Sequence, residues 1–127
     1  MESGVSVLRI DERAYLDAAR LAELSAEHGV VEAENLMTRA VGELALILAA
    51  MVRHYVSGDL RAFARELRRL RFMAGQVGMP SLAAATEGVS ISLERGDSTA
   101  LAATWARCLR LGESSLQAEW EAQDLSG

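Results

Sequence analysis

"GDLRAFARELRRLRFMAGQVGMP", Gly58 to Pro80, decides how this chain folds. Both of its ends are helix punctuation. Asp59 can accept hydrogen bonds from the free amides of a first turn. Gly78 suits the left-handed geometry that closes a helix, and Pro80 suits the first turn of the next one, where its missing N–H costs nothing. Between them Leu60, Phe63, Leu67, Leu70, Ala74 and Val77 recur at steps of three and four, the spacing of one helix face. The stretch predicts a helix over about 59–77 with that face buried.

Similar punctuation recurs along the chain. Gly29, the "SGD" at Ser57–Asp59, the "GQVGMP" at Gly75–Pro80 and the "RGDS" at Arg95–Ser98 cut it into five segments with helical spacing. Helices are expected near 11–27, 32–56, 59–77, 80–94 and 98–122. In the second, Met37, Val41, Leu44, Leu48, Met51, Val52 and Tyr55 form one apolar stripe, with Arg39, Glu43 and Arg53 on the far side. Leu82, Ala85, Val89 and Leu93 make the stripe of the fourth. Leu101, Trp105, Cys108 and Leu111 or Gly112 make that of the fifth, with Asp97 or Ser98 as its cap. No segment sustains the apolar–polar alternation of a strand. Half of the 127 residues are hydrophobic, 5% are aromatic and one is proline, a composition for a core of Leu, Ala, Val and Met on helices. Because short connections force neighbouring helices to run in opposite directions, the expected fold is all-α. It is an antiparallel up-and-down four-helix bundle with an additional N-terminal helix, forming a single domain over 11–127 behind an N-terminal arm at 1–10.

Several function classes are argued against. The net charge of −5 disfavours nucleic acid as a partner, since phosphate binding needs an excess of Lys and Arg. A lone cysteine, Cys108, allows neither an internal disulfide nor a thiolate metal cluster, and on its apolar stripe it is expected to be a core thiol. A cytoplasmic location follows as the expectation, as the N-terminal residues lack the pattern of a secretory signal. The longest apolar run, "LALILAAMV" between Glu43 and Arg53, is short of the ~20 residues that span a bilayer, so no membrane is expected. His28 and His54 read as helix-end or surface histidines. Glu113, Glu119, Glu121 and Asp124 read as solvated surface, and Trp120 as packing. No metal site, cofactor or catalytic residue is expected.

One surface stands out. At 100° per residue, Arg61, Arg65, Arg68, Phe72 and Gly75 share the side of the third helix away from Leu67. From Asp59 to Met79 five arginines stand against Asp59 and Glu66, inside an otherwise acidic chain. A charge run is ordinarily a solvated face. Phe72 sets this one apart, because a large aromatic on a solvent-directed, arginine-rich face has the character of a binding anchor.

The order helix, "GD", helix with "LRRLRFMAGQVG", short turn, "LAAATEGVSISLERGD", helix resembles the histidine-containing phosphotransfer (HPt) domain of two-component phosphorelays. The signature of that family runs His-x-Leu-Lys-Gly-Ser-Ala-Gly-Asn-Leu-Gly. Leu70, Arg71, Ala74, Gly75, Gln76, Val77 and Gly78 fit it identically or conservatively, and Leu82 to Asp97 fits the following stretch without a gap. The resemblance covers roughly 35–112 and implies a four-helix bundle.

Two departures bear on function. Arg68 stands where the resemblance places the phosphorylated histidine, and Phe72 stands where it places a glycine one turn later. A guanidinium stays protonated and is no nucleophile for phosphoryl transfer, and a benzyl group would obstruct an approaching receiver domain. The resemblance therefore implies a non-enzymatic relative that binds a response-regulator receiver domain or a histidine kinase. Arg61, Arg65, Arg68, Arg69, Arg71, Phe72, Gly75 and Gln76 are the candidate contact residues. Two alternatives remain: a structural module that forms a homodimer through Leu46, Ile47 and Ala50 on the far side of the second helix, and phosphotransfer through His54.

Overall fold

A computed structural model describes residues 18–126. The expected arm at 1–10 and the first residues of the helix expected at 11–27 lie outside them, as does the Trp120 side chain. Five helices follow one another: α1 Ala18–His28, α2 Val30–Ser57, α3 Leu60–Gln76, α4 Pro80–Arg95 and α5 Ser98–Ser126. Among the described residues there is no strand. The chain is all-α, and the helix limits after α1 lie within four residues of those read from the punctuation.

The joints explain that agreement. Gly58 takes φ 77°, a left-handed conformation that costs glycine nothing. Its N–H donates to Tyr55 O at 3.2 Å and that of Asp59 to His54 O at 2.9 Å, which satisfies the last carbonyls of α2. The Asp59 side chain then accepts from the amide of Ala62 at 3.0 Å and opens α3. Gly96 and Asp97 repeat the device. The N–H of Gly96 donates to Leu93 O and that of Asp97 to Ser92 O, and Asp97 accepts from the Ala100 amide at 3.0 Å. At both places one Gly-Asp pair ends a helix and starts the next.

Helix α2 packs on α3, α3 on α4, α4 on α5, and α5 returns to α2; α1 lies against α2. Inside this cycle Leu44, Ile47, Met51, Phe63, Leu70, Met79, Leu82, Val89 and Cys108 are fully buried. Phe63 meets Trp105 edge-on, with ring centroids 5.0 Å apart, and Tyr55 closes an aromatic trio over the end of α2. Helices α2 and α5 approach closely at Gly112, where an added Cβ would stand 2.7 Å from Leu48 Cδ1.

Several sequence expectations need correction. Ile47, assigned to the far side of α2, is buried, because α2 packs on α1, α3 and α5 and so has a wider inner face than one stripe. Val52 and Leu60, assigned to stripes, are exposed at 37% and 44%. Leu60 opens α3 in its first turn, beside the exposed Gly58–Asp59 joint. Glu119, read as solvated, is half-buried, and desolvation raises its carboxyl above the ordinary range. Among the described residues α2 is the one helix long and apolar enough to cross a membrane by length and composition, a property that the unbroken apolar run alone did not reveal. In this fold Ala33, Met37, Val41, Leu44, Ile47, Leu48 and Met51 on that helix belong to the core.

Candidate functional site

With Phe63, Leu67, Leu70 and Ala74 of α3 buried, its other side must face outward. Arg61, Arg65, Arg68, Arg69, Arg71, Phe72, Gly75 and Gln76 are all exposed there. Phe72 is 65% exposed, so it contributes little to the core and lies open to a partner. A Cβ added at Gly75 would meet only open space.

The arginines separate into two kinds. Arg69 leans towards α2, where Nη2 donates to Glu43 Oε1 at 2.5 Å while Nη1 reaches Glu66 Oε2 at 3.0 Å. Arg71 leans the other way and pairs with Glu87 of α4 at 2.7 Å. These two guanidiniums tie α3 to its neighbours. Arg61, Arg65 and Arg68 make no ion pair among the described residues, so their charge is free for a ligand.

A groove of about 450 Å³ gathers part of this face. Arg65, Arg68, Arg69, Phe72 and Met73 line it from α3, and Glu43 lines it from α2. Arg61, Arg71 and Gly75 lie outside it. A second hollow of about 290 Å³ continues along the α2–α3 seam through Met73, and there Gln76 and Val77 meet Leu36, Met37 and Ala40 of α2 and Leu24, Glu27 and His28 of α1. The two hollows share Met73, and the cationic one is that lined by Arg65 and Arg68.

The sequence reading missed Glu43 and Met73. Periodicity puts Glu43 simply on the outer side of α2; its partner Arg69 is 26 residues away, a separation that periodicity along one helix cannot report. Met73 sits between the buried stripe and the arginine face, half-buried and reachable from both hollows.

Chemically the groove offers two unpaired guanidiniums beside a benzyl ring. Both cations are fixed donors with no proton to exchange at cellular pH, so the arrangement is one for binding anions next to an apolar contact. Elsewhere, burial pushes the Cys108 thiol from 9.0 up to about 12, against the opposing pull of Arg107, which leaves it a neutral core group. His54 is half-buried at the end of α2 and lines neither hollow. His28 is exposed and 3.5 Å from Glu27. Among the described residues no group of three or more His, Cys, Asp or Glu is placed to hold a metal ion.

Comparison with protein-family models, with curated proteins and with solved structures finds no match.

Proposed function

We propose that this chain is an HPt-like adaptor of a two-component phosphorelay, one that binds a receiver domain or a histidine kinase without accepting phosphate. On this reading the closed cycle of α2 to α5 is an antiparallel up-and-down four-helix bundle, with α1 as the additional helix. The observation that carries it is the placement of Arg68. Its side chain is exposed, without an ion pair among the described residues, and beside the open ring of Phe72. A receiver domain resembles a suitable partner because it gathers carboxylates around its phosphorylation site. A guanidinium there would pair with carboxylate or phosphoaspartate oxygens through charge-assisted hydrogen bonds. It would occupy the pocket without reacting, in a cytoplasmic setting and with no cofactor.

The test is a titration of candidate receiver domains and kinase bundles against wild type and Arg68→Glu. Reversal of the charge is expected to weaken binding by tenfold or more, about 1.4 kcal/mol. Equal affinities would remove the arginine face from the function.

A second reading has its own observation. On α2, Leu46 is 68%, Val52 37% and Val56 81% exposed, an apolar outer face suited to self-association. Light scattering separates the two: an obligate dimer disrupted by Leu46→Glu or Val56→Glu favours the structural module.

A further inference from the structure

Gly42 has no explanation inside its own chain. It stands in the interior of the 28-residue helix α2, where glycine is less stable than alanine because it has more backbone freedom to lose. Glycines inside α4 and α5 have neighbours: a Cβ at Gly88 would touch Thr104, and one at Gly112 would collide with Leu48. A Cβ at Gly42 would meet only open space, as it would at Gly75, one residue from the end of α3. An exposed glycine in mid-helix is what a second backbone needs for close approach, and small residues at a crossing let two helix axes come within about 8 Å.

The residues around Gly42 match one another when the helix is turned end for end. At 100° per residue Leu46, Ala49 and Val56 follow it on the same outer side and Val31 precedes it, all of them exposed. Leu46, 68% exposed and one turn from Gly42, is a projection beside a gap. Charge closes the face at both ends, with Glu32 and Glu34 near the start of α2 and Arg53 near its finish, again exposed. Glu32 reaches Arg39 of its own helix at 3.5 Å, while Glu34 and Arg53 make no ion pair among the described residues. Those two stand about 28 Å apart along α2 and cannot meet within one chain. A second α2, rotated by 180° about an axis between Gly42 and Leu46, sets Leu46 of each copy over Gly42 of the other. The same rotation brings Arg53 opposite Asn35, between Glu32 and Glu34, and Val31 beside Val56. Self-matching of this kind is the condition for a two-fold contact between identical chains. A bilayer suits the face less, because Glu32, Glu34, Arg39 and Arg53 would have to enter hydrocarbon.

We infer that two copies of this chain pair through α2, antiparallel about Gly42 and Leu46, with Arg53 of each copy between Glu32 and Glu34 of the other. The inference rests on the self-association reading above and is independent of the adaptor reading.

Sedimentation equilibrium of the full chain measures the association. Wild type is expected to form a dimer whose population rises with concentration. Gly42→Leu, for which the single chain has room, is expected to weaken that dimer tenfold or more with its circular dichroism unchanged. Oxidative cross-linking reads the orientation, because Val31 and Val56 are exposed at 72% and 81% and the native Cys108 is buried out of reach. Val31→Cys mixed with Val56→Cys is expected to give a disulfide between positions 31 and 56, mapped by mass spectrometry. Neither variant alone is expected to cross-link to itself, since like positions would stand about 38 Å apart. A dimer that keeps its affinity in Gly42→Leu, or one in which Val31→Cys copies join to each other, would overturn the antiparallel contact and leave self-association standing. A chain that stays monomeric up to millimolar concentration would overturn both and leave the outer face of α2 to a different partner.

Discussion

Arg68 and Arg69 are adjacent in sequence, both exposed and both cationic, yet they should behave in opposite ways when each is cut to alanine. Arg69 joins Glu43 of α2 to Glu66 of α3, and its side chain is 54% exposed against 39% and 17% for the two carboxylates. Exposed ion pairs are worth about 0.2–1 kcal/mol each. Two that share one guanidinium, one of them with a largely covered carboxylate, put Arg69→Ala at about 0.5–1.5 kcal/mol of lost stability. For a chain of this length that is a fall in Tm of about 2–6 °C. Arg68 touches no counter-ion among the described residues, so Arg68→Ala should stay within about 0.5 kcal/mol. Urea unfolding followed by circular dichroism measures both, and a Glu43→Ala/Arg69→Ala cycle isolates the helix-to-helix coupling. In high salt the Arg69 effect should shrink as the charges are screened. If Arg68→Ala costs as much as Arg69→Ala, or the cycle shows no coupling, the division into structural and free arginines is wrong.

The remaining predictions test the core that holds this face in place. Leu67→Ala deletes a buried side chain beneath the arginines and should cost about 2–5 kcal/mol by urea denaturation, while the exposed Phe72→Ala should stay within about 0.5 kcal/mol. Gly112→Ala forces Leu48 to move and should cost about 1–3 kcal/mol, and because the two side chains collide, Gly112→Ala/Leu48→Ala should lose less than the sum of its two single variants. The Cys108 thiol, pushed up to about 12, should resist alkylation of the folded protein at pH 8. Its linkage has a definite sign. The unfolded chain loses this proton near 9 and the folded one does not, so stability is kept below that pH and falls as pH rises towards 12, by at most ~1.4 kcal/mol per pH unit. Cys108→Ala should flatten that part of the profile.

The helices were legible because their ends are written in local chemistry. A left-handed glycine, an aspartate cap or a first-turn proline acts within a few residues, and so do the periodic stripes of α3 and α4. The candidate face was legible for the same reason: once Leu67 and Leu70 are buried, Arg68 and Phe72 must point outward. Ile47 was misplaced because its burial depends on how many helices surround α2, which no single stripe encodes. The pairing of Arg69 with Glu43, the pairing of Arg71 with Glu87 and the seam that Met73 divides all arise between helices. They needed the packed chain before they could be seen.

The two Gly-Asp joints leave no slack. Each pair both releases one helix and caps the next, so a single amino acid inserted between Gly58 and Asp59 would separate the two caps and loosen the angle at which α3 leaves α2. Length variation among any relatives should therefore avoid positions 58–59 and 96–97.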